Sequence, residues 1–292
     1  MNCIVIGDMG KGTEDQHKVA KSMKKLYKKH KIKFVVGVGD NIYPDGCTSV
    51  NDPEFVNKFE HPYSILPDDR WYMCLGNHDY GYMQGKQGKQ GKQGKQGKQS
   101  KQSKHGLINN SRHQVEYTKH SKKWFMPSRY YSFTKGPAEF FYLDTNLDRM
   151  SESVIQKQLK EMKHKLDTST KKWKIVVGHH TWRSIAGHAN AEPRFETFLS
   201  DLFKDTKPNL YMGGHDHCKS VMVKGGITLV ISGNGGEPYD EPSVNLRSMH
   251  DCQLDYFSPS LGFAILRIRQ GSLVVDFYNE KGFREYHHII SV

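Results

Sequence analysis

Five short apolar runs in this chain each close on a glycine and then on a residue able to bind a metal ion. Cys3 to Gly7 leads to Asp8, Phe34 to Gly39 to Asp40, and Tyr72 to Gly76 to Asn77 and His78. Ile175 to Gly178 leads to His179, and Leu210 to Gly214 to His215 and then His217. Carboxylate oxygens suit hard cations, imidazoles suit iron, zinc and manganese, and an asparagine carbonyl adds a neutral oxygen. Two carboxylates, one amide and three imidazoles exceed what one ion needs and match two. Asp40, central in the series, is the natural bridge between them. His215 and His217 point oppositely along an extended segment, so they can reach different ions. Two ions about 3.5–4 Å apart clamp a phosphoester and lower the pKa of bound water towards ~7, giving a hydroxide that attacks phosphorus in line. Any one of these histidines alone is an ordinary polar side chain, and Gly-Asp alone is a turn signal. Five glycine-flanked ligands, each directly after a strand-like run, are not explained that way.

The elements that must position these groups follow from periodicity. Continuous apolar runs of this length predict strands buried on both faces. Between them, residues 14–30 put Val19, Met23, Leu26 and Tyr27 on one face, with Thr13 and Gln16 at capping-box spacing. Residues 152–166 and 194–204 show the same helical period. Strands alternating with helices predict a layered α/β fold with the functional groups at the C-terminal ends of strands. Residues 227–231, 261–268 and 272–278 succeed one another through turns, which predicts a second sheet with antiparallel pairing. The expectation is a two-sheet α/β sandwich forming a single domain over 1–292, interrupted by a low-complexity insert at 84–104.

That insert also explains the charge. Its Gly-Lys-Gln triplets and their Ser-Lys continuation carry seven lysines and no acid, and without them the net charge of +12 falls to +5. The basic balance is therefore mostly one loop, which argues against a nucleic-acid-binding face. The lysines at 24, 25, 28, 29, 31 and 33 read as a solvated helix face and the short segment after it. The repeat predicts a charged, unstructured loop near the mouth of the site. The five cysteines are widely spaced with no CxxC pair, which points away from a disulfide framework. The chain enters an apolar run directly after Asn2, and no stretch approaches the ~20 apolar residues of a membrane span. The expectation is a soluble, intracellular protein with no membrane partner; its oligomeric state is left open.

Gly7-Asp8-Met9-Gly10, Gly39-Asp40-Asn41-Ile42-Tyr43, Gly76-Asn77-His78-Asp79, Gly178-His179 and Gly214-His215-Asp216-His217 together resemble the five motifs of purple acid phosphatases. These belong to the calcineurin-like metallophosphoesterase superfamily, and the match is closest to the small, tartrate-resistant type. It extends through Trp124 to Pro127, Leu143 to Thr145 and Ser184 to His188, nearly the whole chain apart from the insert. The resemblance implies that Asp8, Tyr43 and His217 bind one metal, Asn77, His179 and His215 the other, and that Asp40 bridges them. It implies iron at the Tyr43 site, held by a tyrosinate, with iron, zinc or manganese at the other. His78 and His188 resemble the pair that binds phosphate and protonates the leaving group, His188 being the better general acid candidate. The activity implied is hydrolysis of phosphate monoesters, on a phosphorylated small molecule or phosphoprotein. His180 stands where the family commonly has tyrosine, so it is a candidate ligand or substrate contact. Asp79, Thr181, Arg183 and Asn234 are further candidates for lining the pocket. Two other readings stand beside this one: another calcineurin-like esterase, such as a phosphoprotein phosphatase or phosphodiesterase, and a polyanion-binding protein with a vestigial site.

Overall fold

The computed structural model describes residues 1–81, 110–188, 190–237 and 250–291. The insert at 84–104 lies outside them. Two seven-stranded sheets face each other. The first contains, in spatial order, β14 (Arg284–Ser291), β13 (Ser272–Asn279), β12 (Gly262–Ile268), β1 (Asn2–Ile6), β2 (Ile32–Gly37), β3 (Trp71–Tyr72) and β4 (Trp124–Phe125). The second runs β11 (Gln253–Ser258), β9 (Lys219–Lys224), β10 (Ile227–Ser232), β8 (Leu210–Gly213), β7 (Trp173–Val177), β6 (Ala138–Tyr142) and β5 (Tyr131–Lys135).

Strand alternation explains the unbroken apolar runs. Phe140, Tyr142, Ile175, Val177, Leu210 and Met212 turn inward to the core shared with Val5, Phe34 and Val36 of the first sheet. Their neighbours Phe141, Val176 and Tyr211 turn outward to a second core. Helices α2 (Glu152–Thr168) and α3 (Pro193–Phe203) close that second core with Ile155, Met162, Phe198 and Leu202. Helix α1 (Glu14–Lys29) buries Val19, Met23, Leu26 and Tyr27 and leaves Lys24, Lys25, Lys28 and Lys29 exposed, as the periodicity predicts. Thr13 caps it: its side chain accepts the Gln16 N–H at 3.3 Å, while Gln16 Oε1 accepts the Gly12 N–H at 2.8 Å. The capping box is thus shifted one residue upstream of its usual return bond. Thr13→Ala should cost about 1 kcal/mol, read from the urea midpoint.

One expectation needs correction. Residues 227–231, 261–268 and 272–278 do not form a sheet of their own. β10 pairs parallel with β8 in the second sheet, whereas β12 pairs antiparallel with β1 in the first. The chain changes sheet after β11, at residues 259–261, so β12 and β13 are a hairpin on the opposite layer. All five cysteines are free, and no helix among the described residues is long and apolar enough to cross a membrane.

Candidate metal centre

The loops leaving β1, β2, β3, β7 and β8 meet at one edge of the sandwich. β1, β2 and β3 are mutually parallel, as are β7 and β8, so their C-terminal ends lie together within each sheet. Three of the converging residues, Asp8, Asp40 and His215, have φ of 53°, 50° and 69°. Non-glycine residues pay about 1–3 kcal/mol for such a backbone, and it persists where the surroundings hold it. Crowding explains two of the neighbouring glycines. A Cβ on Gly76 would collide with the backbone and carboxylate of Asp40, and one on Gly214 with the Asp8 carboxylate.

The donors fall into two groups. In the first, the Tyr43 hydroxyl donates to Asp8 Oδ1 at 3.0 Å and lies 3.1 Å from His217 Nε2, itself 3.5 Å from Asp8 Oδ1. In the second, Asn77 Oδ1 lies 3.1 Å from His179 Nε2 and 3.0 Å from His215 Nδ1, and the two ring nitrogens are 3.3 Å apart. Asp40 stands between them, with Oδ1 3.4 Å from His179 Nε2. One ligand atom each of Asp8, Asp40 and His179 lie within 4.8 Å of one another, all buried.

The electrostatics describe a place that calls for positive charge. Burial pushes the Asp8 carboxyl well up, against the pull of His179. At Asp40 burial also works upward, but the charge and hydrogen bond of His179 prevail and hold it well below the usual carboxylate range. Burial lowers His179, yet Asp40 outweighs it and raises that imidazole to about 10. Buried carboxylates this close demand a compensating cation. His215 and His217 are depressed instead, both by burial first, His217 to about 4 with Lys11 assisting. Neutral imidazole is the form that ligates metals. His179 donates its Nδ1–H to the Val38 carbonyl at 2.9 Å, which leaves Nε2 as the ring atom turned toward the other donors. Burial, then Asp8 and Asp40, raises the Tyr43 phenol well above its ordinary value, so only a strong cation would ionise it there. Two oxygen-rich and nitrogen-rich groups sharing a carboxylate fit a pair of metal ions by donor chemistry.

His78 adjoins the first group and His188 the second. His78 donates its backbone N–H to Asp40 Oδ1 at 2.9 Å, and its ring lies 4.3 Å from that of Tyr43, tilted by 44°. The His188 ring lies 4.0 Å from that of His215, and its backbone N–H donates to Asp216 Oδ1 at 2.8 Å. A cavity of about 500 Å³ opens beside the second group, lined in part by Asn77, His180, His188, Phe195 and His215.

Of the further pocket candidates, Thr181 lines this cavity, but three do not. Arg183 turns away to Asp251 and Glu196, 2.6 Å from Asp251 Oδ2. Asn234 donates to the Ser260 carbonyl. Asp79 lies buried beneath the site and accepts the backbone N–H groups of Asn41, Ile42 and Gly76 at 2.9, 3.1 and 2.7 Å. Asn41 Nδ2 and Gln114 Nε2 add two more donors, at 3.0 and 2.6 Å. Burial and the Asp40 charge push the Asp79 carboxyl up to about 7, and these donors oppose that. It ties together the two loops that carry Asp40, Tyr43 and Asn77. The sequence pointed to Asp79 as a pocket-lining residue rather than as this support beneath the site.

The chain belongs to the calcineurin-like phosphoesterase family, whose model matches residues 1–219. Within it the chain is of the purple acid phosphatase type, a hydrolase of phosphate monoesters, and membership implies a centre of two metal ions. It is 30% identical to purple acid phosphatase 3 of Arabidopsis thaliana, over 97% of this chain and 76% of that protein. The fold is also that of the anchor protein GAP50 of the Plasmodium inner membrane complex, with TM-score 0.80, 22% identity and coverage of 100% and 89%. It resembles in fold a purple acid phosphatase from yellow lupin, Lupinus luteus, with TM-score 0.75, 17% identity and coverage of 100% and 53%.

Proposed function

We propose that this chain is a dimetal acid phosphatase, with Asp8, Tyr43 and His217 holding one ion, Asn77, His179 and His215 the other, and Asp40 shared. The observation that carries it is the division of seven converging groups into these two sets. Iron at the tyrosine site and iron, zinc or manganese at the other suit the donors. Bound ions of this kind activate water as a nucleophile at neutral pH and offset charge on the phosphoryl oxygens. The protein's own groups do the rest. His188, on the cavity side of His215, gives a proton to the leaving-group oxygen. His78 commits Nδ1 to the Pro44 carbonyl at 2.6 Å and keeps Nε2 on the Asp40 side, 3.9 Å from Oδ2. In its protonated form it donates from there to a phosphoryl oxygen. The substrate is a phosphorylated small molecule or phosphoprotein, and a single domain spans 1–292.

Elemental analysis with a visible spectrum tests this. Two metals per chain are expected, with a charge-transfer band that Tyr43→Phe abolishes and aryl phosphate hydrolysis that a chelator removes. Metal-loaded protein inactive at every pH between about 4 and 9 would overturn it, since that window spans the carboxylate and histidine range. The fold shared with an anchor protein favours a second, non-catalytic reading. The complete donor set argues against it, and the same measurement decides.

A further inference from the structure

Thr145 decides what His180 can offer to the cavity. A threonine hydroxyl has two lone pairs and one proton. The backbone N–H groups of His179 and His180 approach its oxygen at 3.3 and 3.2 Å and occupy the lone pairs. The proton is left for His180 Nδ1, 2.7 Å away. His180 therefore accepts at Nδ1 and carries its own proton on Nε2. Its ring is held between those of His215 and Phe195, with centroids at 4.6 and 6.0 Å. The result is an N–H donor of fixed orientation in a residue that lines the cavity beside Asn77 and His215.

We propose that this cavity is the leaving-group subsite and that His180 Nε2–H is its fixed donor. It selects monoesters whose organic part carries an uncharged oxygen acceptor, a hydroxyl or carbonyl. The two guanidinium groups at the rim already have carboxylate partners, so neither calls for an anionic organic group. Arg149 Nε lies 3.2 Å from Asp148 Oδ2, and Arg194 Nη2 lies 2.7 Å from Glu152 Oε2. Phe195 supplies an apolar wall for the carbon skeleton. This inference rests on the monoesterase reading above.

A matched pair of substrates tests it: glycerol 2-phosphate and isopropyl phosphate, which differ by two hydroxyls. Comparing the kcat/KM ratio between wild type and variant cancels their different leaving-group acidity. Wild type should favour glycerol 2-phosphate, and His180→Phe should shrink that preference about tenfold, the scale of one neutral hydrogen bond. His180→Gln, which keeps an N–H donor, should restore part of it. Calorimetry with the two corresponding non-hydrolysable phosphonates should show the same change in Kd ratio. Metal content is measured on every sample. A ratio unchanged in His180→Phe with metals retained overturns the proposal. So does a wild type whose preference does not exceed leaving-group acidity, whatever the variants do. Wild type inactive on both substrates and on aryl phosphate sinks the monoesterase reading instead.

Discussion

Asp40→Asn is expected to lower kcat/KM for an aryl phosphate by on the order of a thousandfold, equivalent to about 4 kcal/mol of lost transition-state stabilisation. The substitution keeps the shape of the side chain. It also keeps an oxygen able to accept the His78 N–H that Oδ1 now takes at 2.9 Å. What disappears is one negative charge between the two donor groups, 3.4 Å from His179. A neutral amide does not bridge two cations as a carboxylate does. Metal content should therefore fall together with activity, while the far-ultraviolet circular dichroism stays that of the wild type. A variant that retains both metals and full turnover would remove Asp40 from the centre and with it the proposed mechanism.

The second large effect concerns folding as much as catalysis. Asp79→Ala should cost about 3–5 kcal/mol of stability, the scale for breaking a buried charged network. It strips the acceptor from five N–H donors, three of them backbone groups of two separate loops. Each orphaned buried donor costs about 1–3 kcal/mol unless water enters to replace the carboxylate. Asp79→Asn should fall between wild type and alanine, because its oxygen still accepts while its amino group faces other donors. Urea unfolding gives the stability, and metal affinity gives the site. An alanine variant with an unchanged midpoint and unchanged affinity would show that the two loops hold their shape without it.

The division between what could be read and what could not follows physical range. β1, β2, β7 and β8 were legible because a strand buried on both faces must be apolar throughout, and each ends on a glycine. Six of the seven converging donors were legible because they are metal-binding residue types at those ends, whereas Tyr43 stood out only through the resemblance to purple acid phosphatases. β14 was not: Arg284, Glu285, His287 and Ile289 are exposed, so its sequence carries no burial signal. Nor was the sheet assignment of β12, which depends on where the chain crosses at 259–261 rather than on any local pattern. Asp79 and Thr145 were missed as organisers for a related reason. Their work is to accept backbone N–H groups from loops whose course is not encoded beside them. Arg183 misled because its partner Asp251 lies 68 positions away.

The donors are also divided between layers. Asp8, Asp40, Tyr43 and Asn77 follow strands of the first sheet, and His179, His215 and His217 follow strands of the second. Sliding either sheet by one residue, about 3.3 Å along its strands, would separate every cross-layer pair by more than the span of a bond. The site therefore acts as a gauge of the register between the layers. A chain that folds each sheet correctly but docks them out of step has no centre at all, so function reports an alignment that neither sheet holds alone.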